Sequence, residues 1–205
     1  GKYISRDINK AIHYFTLAAN QNDPNAQFNL GSIYYQNELV PRDIKKAIMY
    51  YSQASDQGFL KAQLILGDIY YQNKYVDRNI NKAIYYYSLA ANQDDENAQL
   101  ILGIIYEEGK YIEKDIQKAI FYYSQAVNHN VLKAELRLGL IYYSDHSISN
   151  NIKKAISCLS LAANQNDPDS QYVLGTIYSE DNEEHDINKA IHYLTLSANQ
   201  KYNKA

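Results

Sequence analysis

Asp43-Ile44-Lys45-Lys46-Ala47-Ile48-Met49-Tyr50-Tyr51-Ser52 is the stretch whose reading decides the fold, because the chain writes it six times. The other copies begin at Asp7, Asn79, Asp115, Asn151 and Asp186. Their central alanines, Ala11, Ala47, Ala83, Ala119, Ala155 and Ala190, are spaced by 36 residues four times and then by 35. A fixed period of this length marks a stacked array of small helical units, none of which buries its apolar face alone. Within each copy the inward positions, Ile44, Ala47, Ile48, Tyr51 and Ala54 in the second, recur at helical spacing. The leading Asp or Asn can cap the free N–H groups of the helix it opens, here termed helix B.

Between the copies lies a second helix, helix A. Asp23-Pro24-Asn25-Ala26 reads as its start, with Asp as N-cap and Pro at the first helical position, and Asp167-Pro168 repeats the device. Ala26, Leu30, Ile33 and Tyr34 then share a face, and the columns continue through Leu66, Leu102, Leu138 and Leu174. Gly31, Gly67, Gly103, Gly139 and Gly175 follow those leucines. Glycine inside a helix costs about 1 kcal/mol relative to alanine, so its recurrence predicts a close approach of the partner helix, with Ala47 and its equivalents opposite. Asn37, Asn73, Gly109 and Asp145 tolerate the left-handed backbone that ends helix A; Gly58, Asn22, Asp94, Asn130 and Asn166 stand in that role after helix B. Val40, Val76, Ile112 and Ile148 are the expected apolar plugs of the A–B loops.

The lysine column Lys10, Lys46, Lys82, Lys118, Lys154 and Lys189 opposes the helix dipole in a first turn. It is expected to pair with the cap three residues earlier and to lie over a neighbouring tyrosine, not to form a ligand ladder. A longer period of 72 residues shows where polar entries (Asp23, Asp95, Asp167) alternate with apolar ones (Phe59, Val131). The last A–B loop has lost one residue and its plug, and gathers Glu180, Asp181, Glu183, Glu184 and His185. No ordered cation-ligand spacing is present there, and a solvated charge run is expected.

Composition limits the classes of activity. A formal charge of −3 and a pI near 6.0 leave no electrostatic footprint for nucleic acid. No apolar run approaches the ~20 residues of a membrane span, so no membrane insertion is expected. Cys158 is alone and takes a place where other copies put tyrosine, which suits a packed thiol, not a nucleophile. His13 and His192 belong to a helix-B column filled elsewhere by Met49, Tyr85, Phe121 and Ser157, a pattern of surface. No nucleophile–base set, phosphate loop or carboxylate pair emerges, so neither catalysis nor a cofactor is expected. The chain is rich in asparagine yet has no Asn-x-Ser/Thr triplet, which points toward a cytoplasmic setting over a glycosylated one. Both ends fall within a repeat, as in a segment of a longer protein.

Ala-x-x-x-Leu-Gly-x-Ile-Tyr, a Gly/Asn-x-x-Val loop, then Asp-Ile-x-Lys-Ala-Ile-x-Tyr-Tyr-x-x-Ala-Ala resembles the Sel-one-like repeat, a relative of the tetratricopeptide repeat. The resemblance implies an all-α fold, a right-handed α-solenoid of antiparallel helix pairs forming a tetratricopeptide-like superhelix. It covers one array over residues 1–205: an orphan helix B at 7–22, then repeats at about 24–59, 60–95, 96–131, 132–167 and 168–203. Asn or Asp stands for the usual loop glycine, and the per-repeat cysteine pairs of some members are missing. The resemblance also implies a non-enzymatic protein–protein interaction scaffold or adaptor.

In related arrays helix A lines the concave face. The helix-A positions off the core stripe give Phe28, Ser32, Tyr35, Asp68, Tyr71, Ile104, Glu107, Leu140, Tyr143 and Thr176 as the candidate partner-binding residues. Together they would form an apolar, tyrosine-lined surface with Asp68 and Glu107 as polar handles, suited to a peptide or an amphipathic helix of a protein partner. The alternative for these positions is packing against the next helix A. The alternative function is a structural or regulatory spacer of a larger protein, self-associating end to end through the apolar face of an orphan helix.

Overall fold

The structure, a computed structural model, describes residues 8–36, 40–144, 151–180 and 182–202. Among the described residues every regular element is an α-helix. In chain order these are α1 (Ile8–Asn20), α2 (Pro24–Gln36), α3 (Ile44–Asp56), α4 (Leu60–Gln72), α5 (Ile80–Ala91), α6 (Glu96–Glu108), α7 (Ile116–Val127), α8 (Leu132–Ser144), α9 (Asn151–Asn164), α10 (Pro168–Ser179) and α11 (Ile187–Tyr202). The even-numbered helices are helix A and the odd-numbered ones helix B.

Two compact units share the chain, residues 1–98 and 99–205. In the first, α1 packs on α2, α2 on α3, α3 on α4 and α4 on α5; in the second, α7 on α8, α8 on α9, α9 on α10 and α10 on α11. Each unit is thus a stack of helix pairs laid down in chain order, the packing of an α-solenoid.

Local chemistry sets each boundary. Asp43, Asn79 and Asp115 cap their helices by accepting from the N–H of Lys46, Lys82 and Lys118, each at 3.0 Å. Asp186 does the same for Lys189 at 3.1 Å. Asp167 accepts from Ser170 N–H at 2.7 Å and Asp95 from Ala98 N–H at 2.8 Å, whereas Phe59, the apolar entry, offers no side-chain cap. Asn151 differs from the expected cap: it is the first residue of α9 itself and only 3% exposed. Left-handed backbone occurs at Asn22, Gly58, Asn73, Asp94, Gly109, Asn130 and Asn166, the residues expected to stop their helices. Asn37, Asp145 and Ile148 lie outside the described residues.

A repeated latch joins the helices of a pair. The backbone N–H of Asp43, Asn79, Asp115 and Asp186 donates to the carbonyl of Tyr34, Tyr70, Tyr106 and Tyr178 at 2.9–3.0 Å. The lysine column behaves as its position demands. Lys46, Lys118 and Lys189 reach their capping aspartates at 3.7, 3.2 and 3.5 Å. Lys46, Lys82, Lys118, Lys154 and Lys189 also lie 4.8–5.3 Å from the ring centroids of Tyr34, Tyr70, Tyr106, Tyr142 and Tyr178. Four of these rings also stack on a helix-B tyrosine, as Tyr70 does on Tyr86 at 5.9 Å.

The helix-A glycines are buried, but what presses on them is not the expected alanine. A Cβ on Gly31, Gly67 or Gly103 would fall 2.4–2.6 Å from the ring of Tyr51, Tyr87 or Tyr123, and one on Gly139 or Gly175 would fall 2.6 Å from Cγ of Leu159 or Leu194. Those side chains lie one helical turn beyond the alanine column. Periodicity names the inward face of helix B, but which of its side chains reaches furthest depends on side-chain length.

Candidate functional site

Helix A projects positions 28, 32 and 35 of each repeat away from the leucine stripe, and the geometry differs from copy to copy. In the first unit, the half-buried Phe28 ring leans on Phe59 at 4.9 Å and on Tyr51 at 5.6 Å. These contacts are to α3 and to the residue that precedes α4. Ser32 donates to the Phe28 carbonyl at 3.0 Å and accepts from the Tyr51 hydroxyl at 3.2 Å. Tyr35 stands edge-on to Tyr75, 5.5 Å away at 83°, and its carbonyl accepts from Arg42 Nε at 2.9 Å. Asp68 Oδ1 accepts from the Tyr87 hydroxyl at 2.7 Å. Tyr71 is half-buried; its carbonyl takes Arg78 Nε at 2.6 Å, and that guanidinium lies 5.9 Å from the ring.

In the second unit, Ile104 packs against the core around Ala119, Tyr123 and Leu138. Glu107 Oε2 accepts from the Tyr123 hydroxyl at 2.5 Å and pairs with Arg137 Nη1 at 2.7 Å. Leu140 is exposed (38%), and the Tyr143 hydroxyl donates to Glu180 Oε1 at 2.6 Å. Thr176 donates to the Tyr172 carbonyl at 3.1 Å. An open cleft of about 620 Å³ runs between α6, α7 and α8, bounded by Glu107, Lys114, Gln117, Leu140 and Tyr143.

Sequence reasoning missed the tyrosines that fix this surface. Tyr51, Tyr87 and Tyr123 are core residues, at most 1% exposed, yet their hydroxyls emerge at the helix-A face. The glycine notch lets each ring cross helix A. Burial, and then the hydrogen bond to a neighbouring carboxylate, pushes the phenols of Tyr87 and Tyr123 well above their ordinary range, so each remains a donor. A signal existed: tyrosine fills that column where the helix-A face carries Ser32, Asp68 or Glu107, and leucine replaces it at Leu159 and Leu194.

Chemistry elsewhere is sparse. Burial, with Glu135 beside it, pushes the Cys158 thiol up to about 11, so at neutral pH it is not a thiolate. Among the described residues no group of three or more His, Cys, Asp and Glu could hold a metal ion. In the last loop, Lys153 approaches Glu184 at 3.8 Å, and Asn182 ties the backbone by donating to the Ile177 carbonyl at 2.8 Å. Asp181 lies outside the described residues. Among those residues no helix is long and apolar enough to cross a membrane.

Helix pairs of nearly constant length, closed by left-handed residues and packed through a glycine notch, define a helical-repeat protein of the α-solenoid class. The chain belongs to the Sel1 repeat family, whose description, Sel1 repeat, matches residues 1–23, 24–59, 60–95, 97–131, 132–167 and 168–202. It is similar to the Sel1 repeat protein from Oxalobacter formigenes, with 28% identity and a TM-score of 0.80 over 97% of this chain and 57% of that one. It is also similar to c5321, a protective antigen present in uropathogenic Escherichia coli strains and displaying an SLR fold. That pair shares 29% identity and a TM-score of 0.77 over 92% of this chain and 41% of the antigen. The chain therefore spans about half the length of these two proteins. No curated protein matches it. Sel1 repeat proteins are generally protein-interaction scaffolds, and their helical fold is typically non-enzymatic.

Proposed function

We propose that this chain is a single repeat array acting as a scaffold, whose helix-A surface holds a peptide or helix of a partner protein. One observation carries the reading. In each unit the same helix-A face presents aromatic or leucine side chains beside a carboxylate that a core tyrosine holds in place, Asp68 in the first and Glu107 in the second. Apolar anchors around a pre-positioned polar group are what an interface needs, because little side-chain entropy is left to lose on binding. The surface varies from copy to copy while the core columns stay constant, so the fold does not itself select the partner.

The test is a peptide selected from a displayed random library against the whole chain, then measured against Tyr35→Ala/Tyr71→Ala. The double variant should bind at least about tenfold more weakly, as expected for the loss of two aromatic contacts, with its melting transition retained. Full binding by a folded double variant contradicts the surface. A chain that selects no peptide and forms concentration-dependent end-to-end oligomers in light scattering is instead the self-associating spacer.

A further inference from the structure

Asp68 and Glu107 play one role from neighbouring columns, Asp68 at the Ser32 position and Glu107 at the Tyr35 position, and they differ in what else each holds. Each accepts a hydrogen bond from the phenol of a buried tyrosine, at 2.7 and 2.5 Å. Glu107 also carries a guanidinium, Arg137 Nη1 at 2.7 Å. Asp68 has no such partner: among the described residues no lysine or arginine pairs with it. The chain places arginine at Arg137 and isoleucine one period earlier, at Ile101. The cations of the adjoining loops are engaged by rings and carbonyls. Arg42 lies 4.9 Å from the Tyr75 centroid and bonds the Tyr35 carbonyl, Lys74 lies 4.9 Å from the same ring, and Arg78 bonds the Tyr71 carbonyl.

Asp68 therefore stands on the helix-A face of the first unit as a partly buried carboxylate with one neutral donor and unfilled acceptor capacity. Nearby, burial first and Tyr75 next raise the Tyr35 phenol, Asp68 adds to them while Lys74 and Arg42 oppose, and Tyr71 is one turn along the helix that carries Asp68. A carboxylate beside aromatic rings favours a cation: the charge is paired, the hydrogen bond is charge-assisted, and the ring faces take the flanking methylene or guanidinium plane.

We propose that Asp68, with Tyr35 and Tyr71, receives a lysine or arginine side chain of the partner peptide, and that Glu107, one helical turn along in its own repeat, is a second carboxylate receptor already filled from within by Arg137. The proposal rests on the helix-A surface being the binding face. It adds the chemistry of the partner, a peptide with a basic residue at a fixed position.

The test selects peptides from a random library on the whole chain, replaces each basic residue of the binders by norleucine, and compares the parent with Asp68→Asn. The asparagine keeps an oxygen for the Tyr87 hydroxyl and removes only the charge. Asp68→Ser, which copies Ser32 beneath Tyr51, is the second variant should the first melt early. The expected result is one shared basic position whose loss weakens binding to the parent about tenfold, the scale of one charge-assisted contact, and leaves binding to either variant unchanged. Arg137→Ile, which frees Glu107, should add a second basic position to the selected peptides. Peptides that bind the helix-A face with no basic requirement, or lose equal affinity for parent and variant, overturn the proposal and leave the surface standing. Failure to select any peptide on that face overturns both.

Discussion

The repeats divide by what fills the glycine notch of helix A. At Gly31, Gly67 and Gly103 a tyrosine ring fills it; at Gly139 and Gly175 a leucine does. Both kinds of side chain are tightly seated, but only the tyrosine is long enough to pass helix A and deliver a hydroxyl to its far face. Tyr51, Tyr87 and Tyr123 thereby tie the core to Ser32, Asp68 and Glu107. Leu159 ends inside the core, and the second unit makes a further tyrosine–carboxylate contact, Tyr143 to Glu180, at the exposed surface. A column that reads as pure packing thus determines where the polar groups of the candidate site stand.

The sharpest way to break this comparison is to empty the notch. Tyr87→Ala should cost about 3–5 kcal/mol, the range for a buried aromatic truncated to alanine, measured by urea unfolding. Tyr87→Leu, which copies Leu159, should cost less than half as much, because leucine refills most of the volume and forfeits only the hydrogen bond. Equal losses would mean the hydroxyl, not the ring, holds the repeat. Filling the notch from the other side comes next. Gly67→Ala should destabilise by about 1–3 kcal/mol through overpacking against the Tyr87 ring, reversing the ~1 kcal/mol that alanine usually contributes in a helix. Gly139→Ala should cost less, since a leucine can turn about two side-chain torsions where a wedged ring cannot.

A further contrast between the repeats concerns Glu135. It occupies a column otherwise made of Gln27, Gln63, Gln99 and Gln171. In that column Gln63 donates from Nε2 to the Ser55 carbonyl and accepts at Oε1 from Gln93 at 2.7 Å, and Gln171 bonds the Ala163 carbonyl and Gln200 in the same way. Glu135 is fully buried; Oε2 accepts from Gln165 at 2.8 Å, while Oε1 has no partner. Burial raises its pKa above the ordinary carboxyl range, partly offset by the Gln165 hydrogen bond. The sign follows from linkage. The unfolded chain releases this proton first, so stability is full below the ordinary carboxyl pKa and is lost as pH rises through the raised folded value. Glu135→Gln should therefore stabilise the chain at neutral pH by about 1 kcal/mol, the scale of one restored buried hydrogen bond. Its advantage in thermal unfolding should shrink in mild acid; an advantage independent of pH would contradict a buried titrating acid.

The smallest effect belongs to the surface contact. Burial, and then its bond to Glu180, pushes the Tyr143 phenol up to about 12. It makes that bond at a partly exposed position, so Tyr143→Phe should cost below about 1 kcal/mol. Tyr123→Phe, which strips a donor from a half-buried ion pair, should cost more.

Much of the fold was legible because its signals are local. The caps at Asp43, Asn79 and Asp115, the left-handed residues Asn73 and Gly109, and the lysines beside their aspartates each depend on neighbours within a turn. The glycine–tyrosine contact joins residues 20 apart and depends on side-chain reach, so period alone pointed to alanine. Of the candidate site, the outward register of Ser32, Asp68 and Leu140 was readable from the helical wheel. The packing of Phe28 between Phe59 and Tyr51 was not, because it needs the spacing of the next helix pair. The Arg137–Glu107 pair spans 30 residues of sequence, and no pattern within one repeat announces it.

The central claim is that the helix-A face does the recognising, and backbone hydrogen exchange of the chain with and without a selected peptide tests it most directly. The account predicts slowed exchange in α2 and α4 or in α6 and α8, with the helix-B segments around Tyr85 and Phe121 unchanged. Protection centred on those helix-B segments, with the helix-A amides unaffected, would contradict it.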